Sequence, residues 1–282
     1  MEEGFFTGSG PRIRWEVHRV AGARAALVVV HGYGEHAGRY RELAEAVGKA
    51  GVEAYLFDLR GHGRSEGSRG WVRRFEDYLD DLDRVVGLAR DAGLPVFAFG
   101  HSLGGLILLR YAQEGGEVEG AIVSAPYLRL AFAPPAWKRW SARVLRVLAP
   151  RLPIPSGMRP EMLTRDEARR AAVHEDPLHF TIATAGWYFE AERAQKETFA
   201  RAGRIRLPLL GLLPTADPVA DPEATAAFWE AVRSEDRRLV RFEGCLHEVL
   251  NELPAERTRA LDLVRDWIAE RLVGGAIRSV ES

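Results

Sequence analysis

The stretch Val96-Phe97-Ala98-Phe99-Gly100-His101-Ser102-Leu103-Gly104-Gly105 leads straight into Leu106-Ile107-Leu108-Leu109, and it narrows the fold more than any other part of the chain. The apolar, partly aromatic run after Pro95 predicts a buried strand. The apolar residues beyond Gly105 continue past Arg110-Tyr111-Ala112 at helical length. Between strand and helix stands G-x-S-x-G. An abrupt strand-to-helix turn presses the positions two before and two after the serine against neighbouring backbone, where a Cβ would clash. The serine is left at a strained tip with its oxygen exposed. A plain glycine-rich turn is the alternative; the flanking strand and helix favour Ser102 as a nucleophile.

The remaining chain repeats the strand-helix rhythm. Ile13 to Val20 alternates and predicts an edge strand after the turn Gly8-Ser9-Gly10-Pro11. Ala25 to Val30 is a continuous apolar run, the pattern of a strand buried on both faces, and Val52 to Phe57 makes the next buried strand. Helices are expected over Tyr40 to Ala50, Phe75 to Arg90, Pro222 to Val232 and Pro254 to Leu272. Further strands are expected at Ala121 to Ser124, Leu207 to Leu213 and Leu239 to Phe242. Strands alternating with helices imply an α/β fold, a mainly parallel sheet covered on both faces.

Between Tyr127 and Arg206 the rhythm breaks. Prolines crowd positions 134, 135, 150, 153, 155, 160 and 177, and helical patterns occur without buried strands. The division expected is a core of residues 1–126 and 206–282 with a helical lid inserted at 127–205. Within the lid, Trp137, Trp140, Val144 and Leu148 recur at helical steps from Ala136 to Leu148, with Arg139, Arg143 and Arg146 opposite. From Arg129 to Arg170, nine Arg and Lys138 face Glu161, Asp166 and Glu167, a balance of +7 in a chain of net charge −1. Such a basic helix with tryptophans suits a lipid surface. The simpler use of the stripe is to cover the pocket while the arginines are solvated.

A net charge of −1 gives no reason to expect nucleic acid as a partner. One cysteine, Cys245, excludes an internal disulfide framework, and no Cys/His cluster has metal-ligand spacing. The N-terminus lacks a signal-peptide core and no apolar run reaches the ~20 residues of a membrane span. A cytoplasmic protein without metal or cofactor is expected. Asn251 is the only asparagine, Gln113 and Gln195 the only glutamines, and three of 39 basic residues are lysine. This composition suits a warm habitat, with GC-rich codons as the rival cause, and it predicts a thermal midpoint above ~65 °C. A calorimetric midpoint near 50 °C would leave codon bias as sufficient.

A serine hydroxyl needs a base to take its proton, and the base needs a third group to fix its tautomer. In an open α/β sheet these groups come from loops at the strands' C-terminal ends. Asp217 follows the Leu207 strand and His247 follows the Leu239 strand, in the order serine, acid, histidine. Asp217 is favoured over Asp221, which suits a helix N-cap before Pro222, and over Asp58. Among the other histidines, His31 and His62 sit in glycine loops suited to bracing the site. His101 is expected to point away from Ser102, and His18, His174 and His179 lie far from strand ends. The backbone N–H groups of Leu103 and Tyr33 are the candidate oxyanion donors. An ordinary tight turn is the alternative for the Tyr33 loop. Cys245 reads best as a small buried apolar residue, and Arg60-Gly-His-Gly-Arg64 as a structural turn.

These segments together carry a resemblance. His31-Gly-Tyr-Gly-Glu-His-Ala-Gly-Arg-Tyr40, Phe57-Asp-Leu-Arg-Gly-His-Gly-Arg-Ser65, Gly100-His-Ser-Leu-Gly-Gly105, Ser124-Ala-Pro126, Asp217-Pro-Val-Ala-Asp-Pro222 and Leu246-His-Glu-Val-Leu-Asn251 stand in register over nearly the whole chain. The sequence resembles the monoacylglycerol lipase/lysophospholipase branch of the α/β-hydrolases. The resemblance implies Ser102, Asp217 and His247 as triad, Tyr33 and Leu103 as oxyanion donors, and a small acyl ester as substrate. Leu103 stands where many members carry Met, Pro214 where glycine is common, and the lid is the least similar part. Monoacylglycerol hydrolysis through an acyl-enzyme is the expected activity. Its alternatives are a lysophospholipase, a short-chain carboxylesterase, a peptidase and a binding protein without turnover.

Overall fold

The computed structural model describes residues 1–6, 10–132 and 135–278. The Gly8-Ser9 part of the expected turn and Pro134 of the lid therefore lie outside the described residues. Along the chain run β1 (Glu2–Phe6), β2 (Ile13–His18), β3 (Ala25–Val30), α1 (Arg41–Gly48), β4 (Val52–Phe57), α2 (Glu76–Asp91), β5 (Val96–His101), α3 (Leu103–Gln113) and β6 (Gly120–Ser124). An inserted segment follows, with α4 (Ala136–Leu148), β7 (Pro153–Pro155), α5 (Glu167–Glu175), β8 (Ile182–Thr184) and α6 (Ala185–Ala200). The chain then closes with β9 (Leu209–Pro214), α7 (Pro222–Ala231), β10 (Arg237–Phe242) and α8 (Pro254–Arg278).

Eight strands form one sheet in the order β1-β2-β4-β3-β5-β6-β9-β10. The pairings β1–β2 and β2–β4 are antiparallel and the rest parallel. Successive strand residues point to opposite faces, so each central strand feeds two cores. On one face Val28, Ala98 and Val123 pack with Leu82, Val86, Leu106 and Phe228. On the other, Val29, Phe99 and Leu210 pack with Leu43, Val47, Val264 and Trp267. The expected α/β sheet covered on both faces is what the chain builds.

One expectation about the edge is corrected. The Ile13 strand is not outermost, because β1 pairs along its free side, with Glu2 opposite Val17 and Phe6 opposite Ile13. Ion pairs hold this edge: Glu2 with Arg19 at 2.9 Å and Glu3 with Arg14 at 2.7 Å. The segment Glu2-Glu3-Gly4-Phe5-Phe6 shows no apolar alternation and gives no strand signal of its own.

The inserted segment is joined to the core along a seam beside the loop that follows β3. Phe180 N–H donates to Gly34 O at 2.9 Å, Tyr33 Oη donates to Ile182 O at 2.7 Å, and Thr184 N–H donates to Gly70 O at 3.1 Å. Gly34 sits at φ +78°, and a Cβ there would overlap Phe180 O. His36 Nε2 adds a contact to Asp176 Oδ2 at 2.8 Å. α4, by contrast, packs on α6, and its apolar stripe faces outward. Trp137 and Trp140 are each 67% exposed and Leu148 76%, with Val147 at 79% beside them. The stripe therefore does not serve as the pocket's cover. The side chains of Lys138 and Arg139 lie outside the described residues, whereas Arg143 and Arg146 are exposed. No helix among the described residues is long and apolar enough to cross a membrane.

Candidate active site

Ser102 sits between β5 and α3 with φ 51° and ψ −113°, a strained conformation for a residue with a side chain. The chain pivots there because glycines let it. A Cβ on Gly100 would overlap the Gly104 carbonyl, and one on Gly104 would overlap Val30 O at the end of β3. The turn is fixed on both sides: Ser102 N–H donates to Ser124 O at 2.9 Å, and Tyr127 N–H donates to Ser102 O at 2.9 Å. Leu103 is the first residue of α3, so its N–H precedes the intrahelical ladder.

Asp217 and His247 come from the loops after β9 and β10. The strand β10 lies beside β9 in parallel register, which brings the two loops to one end of the sheet. Asp217 Oδ2 lies 2.7 Å from His247 Nδ1, while its Oδ1 accepts Val219 N–H at 2.7 Å and Ala220 N–H at 3.0 Å. Both residues are buried. Burial pulls the His247 pKa down, but the charge and hydrogen bond of Asp217, aided by Glu248 and Glu35, more than offset it and hold it above its ordinary value. The competing acids are engaged elsewhere. Asp221 caps α7 by accepting Glu223 and Ala224 N–H, and Asp58 accepts Ala37 N–H at 2.9 Å and Arg64 N–H at 2.8 Å.

The loop that carries Tyr33 is braced from several directions. His31 Nε2 accepts Leu59 N–H at 2.9 Å while Nδ1 lies 2.7 Å from Gly32 O, which assigns the proton to Nδ1. Gly32 N–H donates to Glu35 Oε1 at 2.5 Å. The His62 ring meets that of Tyr33 edge to face at 5.5 Å. Four charged or polar residues that sequence reasoning left aside also gather here. Glu35, Arg39, His179 and Glu248 line a water-sized chamber of about 10 Å³ with Gly32, Tyr33, His101, Ser102 and His247. His101, expected to turn away, packs its ring 4.8 Å from that of His247 and shares this wall. Burial, then the neighbouring His247, pull His101 down to about 4. His179, far from any strand end in sequence, arrives from the inserted segment, which sequence distance does not reveal. Cys245 is buried, as expected, and burial pushes its thiol up to about 11. Among the described residues no group of three His, Cys, Asp or Glu side chains converges to hold a metal ion.

Adjoining this chamber at Ser102 opens a larger cavity of about 190 Å³, lined mainly by apolar groups that include Tyr127, Leu130, Met158, Trp187 and Val219. Its lining includes Phe132 and Ile154, which are also exposed at the surface. Ser102, Tyr33 and Met158 belong to both chambers. The serine thus stands where an apolar space meets a polar one, with a buried histidine-carboxylate pair alongside. Such an arrangement can carry out acyl transfer.

A family model described as Serine aminopeptidase, S33 (Hydrolase_4) matches residues 21–254. A monoacylglycerol lipase of Mycolicibacterium smegmatis is 33% identical over 276 residues, 96% of this chain and 98% of that one. Phospholipase YtpA of Bacillus subtilis is 31% identical over 231 residues, 81% of this chain and 89% of the other. Among solved structures, a monoacylglycerol lipase of Paleococcus ferrophilus superposes with a TM-score of 0.84 at 30% identity, covering 92% of this chain and 98% of that one.

Proposed function

The chain belongs to the Hydrolase_4 family (Serine aminopeptidase, S33) and is a serine hydrolase of carboxylic esters; within that class we propose that it cleaves monoacylglycerols. In this reading Ser102 Oγ attacks the ester carbonyl and passes its proton to His247 Nε2. Asp217 holds the Nδ1–H of that ring and stabilises the imidazolium. The N–H groups of Leu103 and Tyr33 receive the oxyanion. Collapse returns the proton from His247 to the departing alcohol oxygen and leaves an ester on Ser102. Water, deprotonated by His247, then attacks that ester and releases the fatty acid.

The observation that carries the substrate is the pairing of the two chambers. The apolar cavity suits an acyl chain. The adjoining polar chamber is lined by Glu35, Arg39 and Glu248, whose formal charges sum to −1, and the one guanidinium is already engaged by both carboxylates. The chamber holds about one water, so a headgroup would stand at its mouth; a neutral polyol meets no charge conflict there, whereas a phosphate would face two carboxylates whose guanidinium partner is already engaged. Hydrolysis should be measured on esters of graded chain length with glycerol or phosphocholine headgroups. We expect kcat/KM to rise from short to long chains and to favour glycerol at least tenfold. Equal or faster turnover of the phosphocholine series would make this a lysophospholipase, and a preference for the shortest acyl chains a carboxylesterase.

The same proposal takes residues 127–205 as a lid on the core and places the enzyme in the cytoplasm. It takes the exposed stripe Trp137, Trp140, Val144 and Leu148 as the surface that meets aggregated lipid. The same helix contributes Ala142 to the lining of the acyl cavity, so a lipid held on its exposed face lies close to the cavity that accepts it.

A further inference from the structure

The loop carrying Tyr33 follows β3 and the loop carrying His247 follows β10. Strands β5, β6 and β9 separate them in the sheet, so register alone would have to be kept over about 19 Å at ~4.8 Å per strand. A direct tie spans the gap. Arg39 Nη1 and Nη2 donate to Glu248 Oε1 at 2.8 Å and Oε2 at 2.7 Å, a two-pronged pair between residues 209 apart in sequence. Arg39 Nη1 also donates to Glu35 Oε2 at 2.6 Å. Glu35 Oε1 in turn accepts Gly32 N–H, next to Tyr33, and Tyr40 Oη at 2.6 Å. Glu248 follows His247 directly, and its own backbone N–H donates to Leu163 O at 2.8 Å. The three side chains are almost wholly buried, so water competes little for the fork.

We propose that Arg39 is a positioning residue that locks the Tyr33 loop to the His247 loop through Glu35 and Glu248. The Tyr33 oxyanion donor and the base then move as one body around Ser102. This rests on the triad reading above. A guanidinium is required because its planar fork reaches two carboxylates at once, which an ammonium cannot do in the same geometry. None of the three side chains lines the acyl cavity, so loosening the tie misplaces the reacting groups without altering how the chain is held.

The test compares Arg39→Lys, Glu248→Gln and the double variant with the wild type, using p-nitrophenyl butyrate and a fluorophosphonate probe, with thermal midpoints measured alongside. Each single change should lower kcat and the rate of Ser102 labelling roughly ten- to hundredfold, the effect of an ångström-scale misplacement. KM should stay within twofold, and the double variant should be no worse than the worse single one. Folded variants with unchanged kcat and labelling, a loss confined to KM, or additive losses would overturn the proposal. Should Arg39→Lys not fold, Glu248→Gln, which keeps the side-chain shape, decides alone. A wild-type enzyme not labelled at Ser102 would instead overturn the triad reading.

Discussion

Ser102→Ala and His247→Ala should each remove roughly 10⁴-fold or more of kcat, and the double variant should lose little further, because the groups act as a unit. Asp217→Asn should cost somewhat less. An amide can still accept Val219 and Ala220 N–H through its oxygen, but its NH₂ then faces His247 Nδ1 and demands the other tautomer. Asp221→Asn should leave kcat near wild type, since that carboxylate caps α7 and pairs with Arg129. The reverse pattern, a dead Asp221→Asn beside an active Asp217→Asn, would move the acid to Asp221. The pH profile supplies a second reading. Only neutral imidazole can take the serine proton, so kcat/KM should fall as pH drops through the His247 pKa, which lies above the ordinary 6.5. Asp217→Asn removes the charge that does most to raise it, so the acid limb should move to lower pH.

Binding to anionic vesicles should weaken steeply as salt rises, and Arg143→Glu/Arg146→Glu should nearly abolish it. A basic residue near an anionic surface contributes about 1 kcal/mol, so losing two costs roughly thirtyfold and reversing them more. Trp137→Ser/Trp140→Ser should weaken association with neutral and anionic vesicles alike, because those rings supply apolar area rather than charge. None of these four residues lines the acyl cavity, so hydrolysis of a soluble short-chain ester should stay at the wild-type rate. Vesicle affinity that ignores both pairs of substitutions would remove α4 from the lipid surface. Affinity lost with the tryptophans but insensitive to salt would leave an apolar contact only.

The sheet was readable because its central strands are short, mostly apolar runs of five or six residues, and the elbow because glycine is forced at two positions. α4 was readable from Ala136 to Leu148 by its period, yet the direction of its stripe was not, since periodicity defines a face and not what the face meets. The first strand escaped notice because Glu2 and Glu3 look solvated until Arg19 and Arg14 are opposite them. Glu35, Arg39 and Glu248 escaped for the same reason on a larger scale. Each is an ordinary charged loop or helix-entry residue in sequence, and only a fold that joins positions 209 apart turns them into a buried group. His179 needed the inserted segment's path, which proline-rich sequence does not specify.

The seam between the inserted segment and the core has a consequence for chimeras. The chain from Asp176 to Thr184 is tied by backbone and side-chain bonds to Tyr33, Gly34, His36 and Gly70. A graft that exchanges everything from residue 127 to 205 would therefore replace the bonds that brace the Tyr33 loop from the insertion, along with whatever specificity it was meant to transfer. A graft ending before Asp176 would exchange α4 and part of the acyl cavity's lining while leaving those bonds native. Transplanting acyl preference between relatives is thus a matter of cutting inside the insertion, not at its ends.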